Sequence, residues 1–424
     1  MPGDPLDFLF GLERLGMKFG LENIARLCEA LGNPQQQFRS ILIAGTNGKG
    51  SVTAMTEAAL RAAGYRSARY TSPHLVHIEE RFAIDGRDVS IEALRAVASD
   101  VSTVVQQLVA RGGLEALPTF FECTTAIAFE LFRRANVEIA VLEVGLGGRL
   151  DATNIVMPIA TAITSIDFDH QAQLGASLES IAFEKAGIIK AGVPVVCGPL
   201  PREAEAVIAE TCDARGARLV RATDAVRLDA DGEQISIATA QRRLDRIQLA
   251  LPGDHQRDNA RVAVALVDEL SGLGFPVSDA ALRTGLEQVR WPARLERFSW
   301  RGADILLDAA HNPAGARALA SYLDGHGWKD VTLVFGAMRD KDVAGMLQPI
   351  LRSVAHVICT TAPTPRALPA TELAPLVTRL APASTGVEAI DDPAAALDRA
   401  RGLGRPVVAA GSIFLIGPLR DILR

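Results

Sequence analysis

The chain has 424 residues, 48% hydrophobic and 22% charged, with a formal net charge of −6. At about 150 residues per domain this predicts two or three domains, with cores large enough to need no disulfide support. The basic residues are scattered rather than gathered in the cationic stripe that nucleic acid requires, and no stretch approaches the ~20 apolar residues of a membrane span, so nucleic acid and membrane are excluded as partners.

Short apolar runs alternate with helical patterns along most of the chain. Ile41 to Ala44 reads as a buried strand, followed by a glycine-rich turn and a helix from about Val52 to Ala63. Further strands are expected at Ser67 to Tyr70, Glu138 to Val144, Ile159 to Ile166 and Val193 to Cys197, with a helix at Leu178 to Ala186. Val226 to Leu251 reads as a small antiparallel addition, and helical periodicity returns at Arg257 to Leu273 and Asp279 to Val289. Pro292 breaks that last helix. A fresh alternation follows, with strands at Ile305 to Leu307, Val331 to Phe335, Val354 to Cys359 and Val407 to Ala410, a loop at Ala362 to Pro369, and a closing helix. The expected fold is α/β: a large N-terminal domain with a mostly parallel sheet, residues 1–291, and a smaller Rossmann-like α/β domain, residues 292–424.

Gly45-Thr46-Asn47-Gly48-Lys49-Gly50-Ser51 lies between a strand and a helix, where backbone N–H groups converge on an anion. Lys49 would supply a point charge to the β- and γ-phosphates, and the Ser51 hydroxyl would reach Mg²⁺. The loop departs from the common G-x-x-x-x-G-K-[ST] pattern, because Gly50 stands between Lys49 and Ser51. The alternative is an ordinary glycine-rich βα turn.

Other candidates sit at strand ends. Glu143 lies inside the apolar run Val141 to Val144, where a carboxylate needs a metal or an ion pair. Ser72, before Pro73, and His170 each follow a strand. Their plain alternatives are a Ser-Pro turn and a surface histidine. Lys185 reads by pattern as a solvated helix residue. Thr119-Phe120-Phe121-Glu122 sets aromatics beside a carboxylate, which suits a flat heterocycle and equally suits a helix start with core phenylalanines. Gly145-Leu146-Gly147 is no dinucleotide fingerprint, since Leu150 stands where a third glycine belongs. Cys28, Cys123, Cys197, Cys212 and Cys359 match no metal or redox spacing, and the N-terminus lacks the pattern of a secretion signal, so a cytoplasmic protein with reduced thiols is expected.

The loop Gly45 to Ser51 resembles the variant phosphate loop of the Mur ligase superfamily. With Gly after Lys it looks like that of the folylpolyglutamate synthase and dihydrofolate synthase family. Glu143 to Asn154, Ser165 to His170 with Leu174-Gly175, and Glu184-Lys185-Ala186-Gly187 resemble further signatures of the family, in its order. The resemblance implies a site for one Mg²⁺ at Ser72 and Glu143, and for a second at Glu143, His170 and a carbamylated Lys185, with a K⁺ requirement as a further expectation. Asn259 would contact adenine, Arg294 would grip ATP phosphates across the domains, Asp308 would contact the nucleotide, and His311 and Ser412 would lie on the glutamate side. For Ser412 a helix N-cap is the alternative. Leu150-Asp151-Ala152 and the Gly20-Leu21 region resemble parts of a dihydropteroate pocket.

The activity so implied is ATP-dependent addition of L-glutamate to dihydropteroate, to the glutamate tail of a folate, or to both, through an acyl phosphate, by a monomer. Folate chain extension alone is one alternative. Another is a ligase acting on a UDP-linked precursor, although only 44 residues precede the phosphate loop, little room for a UDP-binding domain. A P-loop NTPase serving as a switch or motor is the rival from a different class.

Overall fold

Strands that read as apolar on both faces are those that must be covered on both faces. Arg39–Ala44, Ile139–Glu143 and Ala160–Ile163 are buried at every position but Arg39, and they form the centre of a parallel sheet. The computed structural model describes residues 4–16, 20–114 and 116–424. The chain divides into two units, residues 1–250 with 257–289, and residues 251–256 with 290–424.

In the first unit, β1 (Arg39–Ala44), β2 (Ser67–Tyr70), β3 (Phe82–Ile84), β4 (Arg87–Asp88), β5 (Ile139–Glu143), β6 (Ala160–Ile163), β7 (Val195–Cys197) and β8 (Leu219–Arg221) form one sheet. Their order is β4-β3-β2-β5-β1-β6-β7-β8. β2, β5, β1, β6, β7 and β8 run parallel, while β3 and β4 add an antiparallel edge. The chain leaves β1 for β2 on one side and passes from β5 to β6 across β1, so the strand order reverses around β1. The carboxyl ends of β5, β1 and β6 therefore flank a crevice of the kind where open α/β sheets bind ligands. The core beneath them includes Leu42, Tyr70, Phe82, Phe129, Phe132 and Leu142. The expected antiparallel addition is a three-stranded sheet of β9 (Arg227–Asp231), β10 (Gln234–Ala238) and β11 (Arg243–Gln248).

In the second unit, β12 (Glu296–Trp300), β13 (Ala303–Leu307), β14 (Val331–Phe335), β15 (Val354–Cys359), β16 (Gly386–Ala389) and β17 (Val407–Ala410) are ordered β12-β13-β17-β14-β15-β16. All neighbours are parallel except the edge pair β12 and β13. Leu306, Leu333, Phe335, Val357 and Val408 are central to a separate core.

The strands expected at 67–70, 331–335, 354–359 and 407–410 form with those bounds. The helix expected from Val52 starts at Lys49, because Gly48 in the left-handed region (φ 85°) turns the chain early. The hairpin β3–β4 and the edge strand β12 were not foreseen. β12 alternates half-buried with exposed residues and lacks a continuous apolar run. Among the described residues, no helix is long and apolar enough to cross a membrane.

Candidate active site

The phosphate loop is stapled to the end of β6. Thr46 N–H donates to Ser165 O (2.8 Å), and Asn47 N–H to Ser165 Oγ (2.9 Å). Thr164 Oγ1 and Ser165 Oγ both donate to Asn47 O (2.6 and 3.0 Å), and Thr46 Oγ1 exchanges hydrogen bonds with the backbone of Asp167. Gly45 and Gly48 are required. Both have positive φ, and a Cβ would collide with Thr164 Oγ1 at the first and Asn259 Oδ1 at the second. The second collision also places the Asn259 side chain against the loop. The 14-residue helix Lys49–Ala62 starts from Gly48 without a side-chain cap, so its first N–H groups and its dipole face the turn. Ser51, in the first helical turn, is buried.

Two lysines meet at this loop. Lys49 Nζ donates to Gly45 O (3.0 Å) and Thr46 O (3.2 Å), and Lys185 Nζ donates to the same Gly45 O (2.8 Å). Lys185 lies on the helix Leu178–Ala186 and is 4% exposed, against the sequence pattern, while Phe183 on the same helix is 55% exposed. Burial, with the nearby Lys49 charge, brings the Lys185 ammonium down from 10.5 to about 7, opposed by Asp169 and Asp151. A large fraction of this amine is therefore neutral near neutral pH. The spine of this helix touches the Glu143 signature segment: Arg149 N–H donates to Glu184 O (2.8 Å).

Glu143 ends β5 beside Ile43 of β1 and is 5% exposed. Its Oε2 accepts the Ser72 N–H (3.3 Å), so β2 and β5 deliver Ser72 and Glu143 to one place. The Ser72–Pro73 peptide is cis. The following loop is fixed by Glu80, whose carboxylate accepts from the backbone N–H groups of Leu75, Val76 and His77. It is also fixed by the buried Arg81, whose Nε donates to His74 Nδ1 (2.9 Å). Burial and Arg81 push His74 down to about 4, so it is neutral at physiological pH. His170 has φ 51° and precedes the short helix Gln171–Leu174 without a side-chain capping bond, with Nε2 at 3.9 Å from Asp169 Oδ1. Among the described residues, no group of three or more His, Cys, Asp and Glu side chains is placed to hold a metal ion.

The residues expected around a pterin have firm structural partners. Thr119 and Glu122 form a capping box for the helix Phe120–Arg134: Glu122 N–H donates to Thr119 Oγ1 (3.1 Å), and Thr119 N–H and Oγ1 donate to Glu122 Oε2 (2.7 and 2.9 Å). Phe120 stacks on Phe10 (6.2 Å) and under the Arg81 guanidinium (5.1 Å), and Phe121 leans on Tyr70 (6.0 Å). Asp151 holds the glycine loop together. Its Oδ2 accepts from Gly145 and Leu146 N–H (3.0 and 2.9 Å) and its Oδ1 from Thr153 N–H (3.0 Å). Burial raises its carboxyl above the usual range, against these hydrogen bonds. Leu150 is half-buried and Ala152 buried beside it. Gly20 (φ 140°) and Leu21 lead into the helix Glu22–Ala30, with Leu21 packed on the core.

In the second unit, Asp308, His311 and Ser412 gather at the carboxyl ends of the adjacent strands β13 and β17. Gly411 N–H donates to Ala310 O (2.9 Å). Asp308 accepts from Leu295 and Ala310 N–H (both 2.9 Å), and burial raises its carboxyl while Arg294 pulls it down. His311 Nδ1 lies 2.9 Å from Ala309 O, and Ser412 Oγ caps the helix Ile413–Leu423 through Phe414 N–H.

Residues 293–413 match the Mur ligase glutamate ligase domain. A Bacillus subtilis dihydrofolate synthase/folylpolyglutamate synthase is 34% identical over 430 residues, covering 99% of both chains. The chain belongs to the dihydrofolate synthase/folylpolyglutamate synthase family. A Haloferax volcanii relative described as a probable bifunctional folylpolyglutamate synthase/dihydropteroate synthase is 37% identical over 98% of this chain, and the chain spans about half of that relative's length. Mycobacterium tuberculosis folylpolyglutamate synthase complexed with ADP and AMPPCP superposes with a TM-score of 0.90 at 32% identity over 99% of both chains. The Escherichia coli enzyme FolC in complex with DHPP and ADP gives 0.88 at 30% identity, over 99% of this chain and 98% of that one.

For a chain of this synthase family, sequence reasoning missed the hydroxyl pair Thr164 and Ser165, which carries the phosphate loop. The signal was present, because two adjacent hydroxyls, Thr164 and Ser165, directly follow the last apolar residue of β6. It also missed buried Arg81, whose ring contact with Phe120 spans 39 positions and has no local signature.

Proposed function

We propose that the protein is an ADP-forming ligase that joins the amino group of L-glutamate to the carboxylate of dihydropteroate and to the glutamate tail of a reduced folate. The observation that carries this reading is the Gly45–Ser51 turn. It is pinned to β6, opens a capless helix and bears the half-buried Lys49, next to the buried amine of Lys185. The family supports ATP as the energy source.

A carboxylate is a poor electrophile. Transfer of the γ-phosphoryl group to an acceptor oxygen releases ADP and leaves an acyl phosphate. The neutral glutamate amine attacks its carbonyl carbon, the C–N bond forms, the amine loses a proton, and the tetrahedral intermediate collapses with loss of phosphate. Lys49, Arg294 and the helix N-terminus offset the charge on the transferring phosphoryl oxygens, while Asn259 and Asp308 orient the nucleotide. His311 and Ser412 serve the glutamate. Phe120, Phe121 and the Asp151 loop border the pterin.

Mg²⁺ fits the donors present. Glu143 is a buried carboxylate beside Ser72, and Ser51 lies in the first turn of the phosphate helix. One carboxylate with substrate phosphates is how Mg²⁺ is usually held, which agrees with the lack of an all-protein cage among the described residues. Ser51, Ser72 and Glu143 would hold one ion. Glu143, His170 and Lys185 would serve a second once Lys185 is carbamylated, since an ammonium cannot ligate a cation. When bound, the metal supplies Lewis-acid charge to the phosphoryl oxygens. A K⁺ requirement, a monomeric state and a cytoplasmic location complete the reading, the last supported by five unpaired cysteines.

ADP release by the purified protein with ATP and Mg²⁺ tests the proposal. Release is expected to require glutamate together with dihydropteroate or tetrahydrofolate, to be absent with a muramyl precursor, and to stop in excess chelator. Equal ADP release without acceptor and glutamate, or full turnover in chelator, contradicts it.

A further inference from the structure

Arg294 stands between two residues held in an unfavourable backbone conformation. Ala293 has φ 57° and Leu295 φ 51°, both in the left-handed region, and both side chains are buried. Side chains with a Cβ rarely adopt that conformation, and glycine would relieve it, yet neither position is glycine. Such strain persists only where the surroundings over-determine it, and it clusters at sites that must hold one geometry.

The surroundings here are two carboxylates, one on each side of Arg294. Leu295 N–H donates to Asp308 Oδ2 (2.9 Å), and Ala293 N–H donates to Glu296 Oε2 (2.8 Å). Ala309 N–H donates to Ala293 O (3.0 Å), which also accepts from Arg294 Nη1 (3.0 Å). Asp308 already has a place in the nucleotide reading, whereas Glu296 has none. Its carboxylate is fixed in turn by Arg420, whose Nε lies 3.1 and 2.8 Å from the two oxygens, with only 12% of the Arg420 side chain exposed. Arg420 sits on the helix Ile413–Leu423, the helix that Ser412 caps.

We propose that Glu296 and Arg420 are positioning residues for Arg294: the Arg420–Glu296 pair locks the Ala293 peptide and so fixes the direction in which the Arg294 guanidinium meets a nucleotide phosphate. This rests on the reading of Arg294 as a phosphate-binding residue. A pair that only anchored the closing helix would shift the thermal midpoint and leave the ATP constants alone.

Steady-state constants for ATP and for glutamate, measured on Arg294→Ala, Glu296→Ala, Arg420→Gln and the doubles with Arg294→Ala, test the idea. Each single change at 296 or 420 is expected to raise the ATP KM or lower kcat about tenfold, as misplacing a binding group does, with the glutamate KM unchanged. In the Arg294→Ala background neither change is expected to add a further loss, since a positioning residue has nothing left to position. Glu296→Gln keeps a carbonyl oxygen for the Ala293 N–H and is expected to recover part of the loss, and it carries the test if Glu296→Ala does not fold. Unaltered ATP constants in the singles, or full additivity with Arg294→Ala, overturns the positioning role. Unaltered ATP constants in Arg294→Ala itself instead overturn the phosphate reading on which it rests.

Discussion

Replacing Lys185 with alanine is expected to lower ligation by about 10³-fold, the scale of losing a group that stabilises developing charge, while the protein stays folded. Two features support a loss confined to chemistry. Among the described residues the Lys185 amine donates to Gly45 O alone, and its burial is unfavourable to the ammonium, so removing it relieves a desolvated charge. Turnover with dihydropteroate, read beside the thermal midpoint, checks this. Near-normal turnover would remove Lys185 from the mechanism.

The same amine gives a pH signature. Its folded pKa of about 7 lies below the ordinary 10.5, so between those values the unfolded chain binds a proton that the folded chain does not. Stability of the unmodified protein should therefore rise with pH across that window, and the penalty is fully present below about 7, where both states are protonated. In Lys185→Ala this part of the slope should vanish. Urea midpoints in CO₂-free buffer from pH 7 to 10 measure it. The neutral amine is also the form that adds CO₂, losing one proton as the N–C bond forms. Bicarbonate should thus raise wild-type activity in CO₂-stripped buffer and leave Lys185→Ala unchanged.

Lys49→Ala is expected to have an effect at least as large on turnover, about 10³-fold or more, with a smaller effect on stability. Lys49 Nζ bonds two loop carbonyls, Gly45 O and Thr46 O, and it begins a helix whose other contacts do not depend on it. Those carbonyls hold the ammonium where the terminal phosphates of a nucleotide would lie over the helix N-terminus. Single-turnover phosphoryl transfer should fall with kcat, since the charge is needed as the γ-phosphoryl group moves. Unchanged phosphoryl transfer with slowed amide formation would assign Lys49 to a later step.

Much of the fold was legible because the central strands are apolar on both faces. Val331–Phe335 and Val407–Ala410 could be read to the residue for that reason. The edge strands could not, since β12 is exposed at alternate positions and is held by pairing with β13 rather than by a buried face. The phosphate loop was legible from its glycines and lysine. What holds it was not, since Thr164 and Ser165 approach it from more than 115 positions away. Lys185 is the clearest failure of pattern reading. Periodicity assigns lysine outward and phenylalanine inward, and the helix Leu178–Ala186 does the reverse at both positions, because the ammonium finds a loop carbonyl and the exposed Phe183 ring is covered in part by Arg149. Thr119 to Glu122 was read two ways, and the geometry satisfies the plainer one as a capping box while leaving Phe120 and Phe121 half-buried.

Ligation through an acyl phosphate requires residues 45–51 to seat the triphosphate. A crystal structure with Mg²⁺ and a non-hydrolysable ATP analogue measures this directly. The β- and γ-phosphates should lie on the N–H groups of Gly48 to Ser51 within reach of Lys49 Nζ, with a cation between them and Glu143. An analogue bound with its phosphates elsewhere, and this turn unchanged, would contradict it.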